Sequence, residues 1–463
     1  MKNLNAARDR RYNGRMSETD RLADAIRELL ASGRDERLAA VLEEAHAADV
    51  SSVLRELAVP EQVRLFRLLA PEHAGAVLSE LDEPTARDLM HALDQGEVSR
   101  ILARMPTDDV VDVVEDLPKE EAEKILDLME EEKSEEVHEL LEYKEGTAGR
   151  LMSPKLVAVH EDATVASAIE HIRKSKTGDD AFYVYVVDDH DHLVGFVPVH
   201  RLLTASPSTP IRAIRNEDLE VVTVDTDQEE VARLVQRYDL IQVPVVDASR
   251  RLLGAISVDD VIDVIHEEAT EDIQRLAGAA GDETVLDPPQ AVFVKRLIWR
   301  LINLGTAILA SSVIGLFEPS IQALAVLAVF MPIVASMGGI GTTQTATVVV
   351  RGIALGELTG SVLIRVLWKE VWLGVTTGAA NGLVIAGIAY IWKGQFLLSL
   401  ILGVALLFNM IVAAVVGTLV PIALRAFRID PAIASSVIIT TFTDVFGFFS
   451  FLGLATLLMR FLL

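Results

Sequence analysis

The chain has 463 residues with 42 Lys+Arg against 68 Asp+Glu, a formal net charge of -26, and no cysteine. Without cysteine, disulfide frameworks, thiolate metal sites, iron–sulfur clusters and a Cys nucleophile are excluded. Residues 291–463 hold 10 Lys/Arg and 5 Asp/Glu, a net of +5, which leaves 32 against 63, a net of -31, in the first 290. An acidic, water-soluble half is joined to an apolar half, so a purely soluble protein is excluded. The acidic half repels nucleic acid and anionic lipid heads and attracts cations. The first sixteen residues, MKNLNAARDRRYNGRM, are basic but have no apolar core, which does not fit a secretory signal.

In chain order, residues 17–142 read as short amphipathic helices spaced about a dozen residues apart. Pro60, Pro71, Pro84, Pro106 and Pro118 stand at or near helix starts, where proline is tolerated. Apolar pairs such as Ile101-Leu102 and Ile125-Leu126 recur, and a small right-handed α-helical solenoid is expected. Residues 146–258 then hold two copies of one pattern. The first runs Val157-Ala-Val-His160, a helix from Thr164 to Arg173, Tyr183–Asp188 and Leu193–Val197. The second runs Val221–Asp225, a helix from Asp227 to Arg237, Val243–Asp247 and Leu252–Val258. Strand, helix, two strands and helix, with an Asp after the apolar strand, resembles a tandem CBS pair, an α/β regulatory module.

A connecting helix with its linker fills residues 259–290. Asp260, Asp263, Glu267 and Glu271 form an acidic stripe on it, and Val261, Ile262, Ile265, Ala269 and Ile273 an apolar one. Like charges at three- and four-residue spacing destabilise a helix by a few tenths of a kcal/mol per pair. A bound divalent cation offsets that repulsion; a solvated face that tolerates it is the other reading.

Residues 291–463 carry five uncharged or nearly uncharged runs, at 301–317, 319–350, 371–392, 394–424 and 433–459, and a bilayer takes about 20 residues to cross. The second is over-long, and Pro332 and Met337-Gly-Gly-Ile-Gly341 are expected to break it and free backbone carbonyls, which only a cavity or buried protein tolerates. With the N-terminus inside, eight basic residues flank the inner ends of the spans and two, Lys393 and Arg460, the outer ends. The reading is a multi-pass protein of the cytoplasmic (inner) membrane with its C-terminus outside. Gly374, Gly378 and Gly382 form a small-residue stripe suited either to packing within one subunit or to a subunit interface.

Asp444 sits among Thr440, Thr441 and Thr443 in the last run. A carboxylate near the bilayer centre costs about 2.5–3.5 kcal/mol on insertion scales. It is either protonated and bonded to a neighbouring helix or, the favoured reading, a cation ligand on a water-filled path. Thr342, Thr343, Gln344, Thr345 and Thr347 add oxygen ligands in the second run; such hard donors suit magnesium, which keeps much of its water, and equally manganese or calcium.

The order of these parts, with Asp225–Glu230, Val258–Val261, Glu268–Ile273, Asp430-Pro-Ala432 and Thr443-Asp-Val445, resembles the MgtE-type magnesium transporters over essentially the whole chain. The resemblance implies a homodimeric, magnesium-selective channel with its pore on the two-fold axis. It implies pore ligands among Asp444, Asp430 and Thr440. It further implies magnesium sensing at Asp108, Asp112, Asp227, Glu229, Asp239, Asp260, Asp263, Glu268, Glu271 and Asp272. An adenosine nucleotide at the CBS pair is a further expected ligand. Ala76 replaces a carboxylate of the family pattern, and Ile340 and Ser436 each replace an Asn, which bears on pore geometry. Transport of cobalt or manganese, and a non-transporting nucleotide sensor, are the alternatives. The sequence has no nucleophile–base or nucleotide-hydrolysis motif, and no enzyme is expected.

Overall fold

The computed structural model describes residues 18–115, 117–175, 181–285, 287–358 and 360–462, the side chains of 18–20, 291, 361 and 433–436 excepted. Two compact units divide it, Met1–Val264 and Ile265–Leu463.

The first unit begins with ten helices among the described residues, from Glu18–Ser32 to Glu131–Glu142. Pro60, Pro71 and Pro84 lie in first turns and Pro118 caps Lys119–Leu126, so each proline costs no intrahelical bond. Each helix turns one apolar face inward, and next-but-one helices pack together as in a solenoid. Polar rungs repeat at a nearly constant sequence spacing. Arg27 reaches Glu56, Arg67 reaches Glu97, Ser79 reaches Asp109 and Thr107 reaches Glu136, offsets of 29, 30, 30 and 29 residues. Exposed rungs of this kind fix register more than they stabilise.

Two three-stranded sheets follow. In the first, β1 (Ala158–His160) pairs parallel with β2 (Tyr183–Val187), which pairs antiparallel with β3 (Leu193–Pro198). In the second, β4 (Val222–Thr223), β5 (Gln242–Val246) and β6 (Leu252–Ser257) repeat that order and those directions. A register shift falls at Val186/Val187 in one copy and at Val245/Val246 in the other. The Asp after each central strand builds the following turn: Asp188 accepts from the amides of His190 and His192, and Asp247 from those of Ser249 and Arg251. These two carboxylates are therefore turn-formers. The solenoid and the second copy share one apolar core, in which Val110, Val114, Val245 and Val261 are buried.

The helix Val258–Leu276 buries Val261 and Val264. The apolar stripe expected on it does not seat as a unit, because Ile262, Ile265 and Ile273 are exposed. The buried face is set by Val261 and Val264, three residues apart; Ile262 and Ile273 lie around the helix from it, and Ile265, one turn after Val261, lies beyond its buried end.

The second unit contains five helices long and apolar enough to cross a membrane: Val292–Gly315, Val326–Ala354, Val362–Lys393, Phe396–Ala426 and Val437–Leu457. They are called spans one to five below. The expected break in the second run does not occur at its glycines. A short helix, Glu318–Ala323, precedes the second span, which then continues through Pro332 and the Gly-rich segment to Ala354. The glycines serve close packing instead. Gly341 faces Met410, and Gly338 faces Asn409, both of the fourth span. The third-span stripe is likewise spent within the chain. A Cβ on Gly374 would lie 2.9 Å from the Met410 carbonyl, and one on Gly382 2.6 Å from that of Gly403.

Candidate metal and ion-path sites

In the first unit, Asp108 and Asp109 open the helix Thr107–Glu115, and Asp260 lies in the first turn of Val258–Leu276. One carboxylate oxygen from each lies within 4.8 Å of the others. Hydroxyls hold the three in place. Ser153 donates to Asp108 at 3.2 Å, Ser79 to Asp109 at 2.8 Å, and Ser257 to Asp260 from both its hydroxyl and its amide. Lys133 anchors the start of the first helix by donating to the Met105 carbonyl and the Thr107 hydroxyl.

Burial pushes the Asp260 carboxyl up to about 7 and Asp108 up to about 6, with Asp108 adding to the first shift and Asp109 to the second. Asp109 is raised as well, by burial and then by Asp259 and Asp263. Three crowded carboxyls with partly withdrawn solvent are a donor set that a hard divalent cation fits.

The predicted regulatory residues divide around this cluster. Asp108 and Asp260 belong to it, and Asp263 is near enough to act on Asp109. Asp112, one turn beyond Asp108, is exposed. Asp227 caps the helix Gln228–Tyr238 by accepting from the Glu229 amide at 3.0 Å, Glu229 accepts from Arg233, and Asp239 ends that helix in a left-handed conformation at φ 53°. Glu268, Glu271 and Asp272 belong to the second unit. There Arg275 pairs with both Glu271 and Asp430, supplying the positive charge that the acidic stripe required at its far end. Burial raises the Glu271 carboxyl, Arg275 opposes that, and Glu268 adds to it. The sequence reading missed Asp109, since three acids in five residues do not reveal which of them face inward.

Asp430 was expected among the pore ligands. Its carboxylate instead caps the helix Pro431–Leu457, accepting from the Ala432 amide at 2.7 Å, and pairs with Arg275. It precedes Asp444 by fourteen residues, roughly 21 Å along a helix. Asp444 itself is half-buried and has no hydrogen-bond or ion-pair partner among the described residues. Thr440, one turn before it, donates to the Val437 carbonyl and lines a cavity of about 460 Å³ with Arg300 and Asn303 of the first span.

Ser336, Thr343, Gln344 and Thr347 of the second span are exposed along one side, and Gly339 approaches Thr440 there. Ile340 lies on that side and is half exposed, whereas the Ser436 side chain is outside the described residues. Glu370, overlooked at the edge of an uncharged run, is buried. It accepts from Thr345 at 3.2 Å and pairs with Lys369 at 3.1 Å, so its charge is met within the bundle.

Three family models match four stretches: a divalent cation transporter model at 331–454, an MgtE intracellular N domain at 45–146, and CBS domains at 148–208 and 211–267. The magnesium transporter MgtE of Thermus thermophilus is 34% identical over 95% of this chain and 99% of its own. The chain belongs to the MgtE family. The MgtE of Bacillus subtilis is 29% identical over 92% of this chain and 95% of its own. Among solved structures, the soluble part of a magnesium transporter matches 54% of this chain and all of its own at 31% identity and a TM-score of 0.51. The cytosolic domain of the Mg2+ channel MgtE in complex with ATP matches 52% of this chain and 99% of its own at 35% identity and a TM-score of 0.50. This MgtE family member thus has relatives spanning both of its halves.

Proposed function

We propose that this chain is a magnesium channel that works as a homodimer, with Asp444 as its principal intramembrane ligand. The carrying observation is a carboxylate with no hydrogen-bond or ion-pair partner among the described residues, directly after a threonine cluster in an apolar span. An intramembrane charge is retained where it meets water, a partner or an ion. Magnesium keeps much of its hydration shell, so one carboxylate per subunit with flanking hydroxyls and carbonyls suffices. The polar side of the second span cannot face lipid without cost, and the exposed isoleucines of Val258–Leu276 likewise lack a partner. Both support a second copy of the chain.

The acidic cluster supports self-limitation. At an effective dielectric near 20, two charges 4 Å apart repel by about 4 kcal/mol, and a divalent cation among them reverses the sign. Asp108, Asp109 and Asp260 would hold that cation, and mass action then favours the arrangement that gathers them. Asp112, Asp227, Glu229, Asp239, Asp263, Glu268, Glu271 and Asp272 remain candidates for further regulatory contacts. ATP in the relative's cytosolic domain supports a nucleotide at the CBS pair here, to be tested by calorimetric titration of the full chain.

The deciding experiment is uptake into proteoliposomes with magnesium, manganese, cobalt and calcium compared side by side. Preference for manganese or cobalt would replace the substrate, and no uptake of any ion would leave a sensor. Orientation is tested separately, because the chain is free of cysteine. Gln395→Cys should react with an impermeant thiol reagent added outside, and Phe427→Cys only after permeabilisation.

A further inference from the structure

Asn409 lies in the fourth span and is fully buried. Its Nδ2 donates to the Val334 carbonyl of the second span at 2.9 Å. The same amide fills the space left by two glycines of other spans. A Cβ on Gly338 of the second span would collide with Nδ2, and one on Gly447 of the fifth would lie 2.7 Å from it. Asn409 is thus a polar knob seated where three spans meet. Its Oδ1 is buried and accepts from no donor among the described residues. In a bilayer an uncompensated amide oxygen is costly, and an aliphatic side chain would fill this space without that cost.

What lies on the far side of the knob gives it a role. Gly447 follows Asp444 by three residues, about one helical turn. Gly338 adjoins Gly339, on which a Cβ would lie 3.9 Å from the Thr440 side chain. The second and fifth spans therefore approach closely in front of Asn409, at the level of the ion path, and the amide sets how near they come.

We propose that Asn409 is a positioning residue for the ion path: by fixing the spacing of the second and fifth spans behind Asp444, it tunes which divalent cation passes. Selectivity in a pore depends on its width and on the oxygens that line it, so a small change in this spacing alters the preference among hydrated ions of different size. The inference rests on Asp444 being the ion ligand, and the test separates the two claims. If wild-type protein in proteoliposomes passes no divalent cation, the transport reading fails before any variant is measured.

Given wild-type flux, the full-length Asn409→Leu variant, which keeps the branch at Cγ but replaces the amide with a bulkier apolar group, is assayed for KM and maximal rate with magnesium and calcium. The expected result is a change of about tenfold in the magnesium-to-calcium KM ratio, the scale at which small misplacements of positioned groups are felt. Maximal magnesium flux should stay within about twofold of wild type, since Asp444 is untouched. An unchanged ratio overturns the proposal, and so does a fall in maximal rate alone, which marks a purely structural role. If the Leu variant does not fold, Asn409→Ser and Gly447→Ala, which press on the same contact from either side, carry the measurement by the same criteria. Failure of all three to fold assigns Asn409 to the scaffold and also overturns the proposal.

Discussion

The two carboxylate centres of this protein use the same functional group in opposite ways. In the first unit three acids are gathered within 4.8 Å, held by serines and pushed toward protonation by burial and by each other. In the fifth span Asp444 stands near threonine hydroxyls with no hydrogen-bond or ion-pair partner among the described residues. The crowded centre stores repulsion, so its occupancy changes the protein that surrounds it. The solitary centre stores little, so an ion that binds there can also leave. Crowding suits a sensor and solitude suits a conduit.

The solitary centre should fail most completely. Asp444→Ala is expected to lower magnesium uptake by about a hundredfold or more with folding and dimerisation intact, since it removes the charge proposed to hold the ion. Asp444→Asn should be nearly as damaging, because it keeps the size and loses the charge. Wild-type flux from either well-folded variant would remove Asp444 from the path.

A structural change near neither centre comes next. Gly382→Val places a side chain where 2.6 Å separates a Cβ from the Gly403 carbonyl, and overpacking of this kind costs about 1–3 kcal/mol or more. Lower thermal stability in detergent, with an unaltered dimer fraction in the surviving protein, is expected. Loss of the dimer with normal stability would instead place the glycine stripe at the interface.

The crowded centre should lose its response without losing its fold. Asp108→Asn, Asp109→Asn and Asp260→Asn combined are expected to abolish magnesium-dependent protection of the first unit from limited proteolysis, and to make the metal-free chain more resistant. Retained protection at millimolar magnesium would move the sensing site elsewhere.

The smallest effect expected is on pH. Asp108 and Asp260 have carboxyls raised in the folded chain, to about 6 and about 7. Between roughly pH 4 and those values the folded state holds more protons than the unfolded one, so the metal-free stability of the first unit falls as pH rises through that window. Magnesium must displace those protons. The concentration giving half-protection should therefore rise by up to about tenfold for each displaced proton as pH drops from 7 to 6. A midpoint that does not move with pH would show that these carboxyls are already ionised when the cation binds.

Much of this contrast was legible in the sequence. The five spans, the duplicated CBS pattern, the helical array and Asp444 all follow from periodicity and charge, which are local properties. What escaped was set by neighbours distant along the chain. Asp109 looked like one more surface acid until Asp260 was brought to it. The Gly-rich segment read as a break because glycine weakens an isolated helix, yet here glycines admit Asn409 and Met410 and the helix continues. Asn409 itself is one amide within an uncharged run, and nothing beside it in sequence says that two glycines of other spans will close on it. Asp430 carried the family motif, but its position at the start of a helix and the arrival of Arg275 decide what its carboxylate does.

The rungs at offsets of 29 or 30 residues bear on how the helical array comes apart. Each rung joins only neighbouring repeats, so the array behaves as a one-dimensional stack in which opening spreads from an end. Its two ends are not equivalent. Near Thr107–Glu115 the helices share a core with the second CBS copy, and Arg150 reaches back to Glu115. At Glu18–Ser32 the array has, among the described residues, helical neighbours on one side only. Backbone amides should therefore exchange with solvent in a gradient, fastest at Glu18–Ser32 and slowest where the acidic cluster stands, which leaves the three carboxylates ordered even while the other end frays.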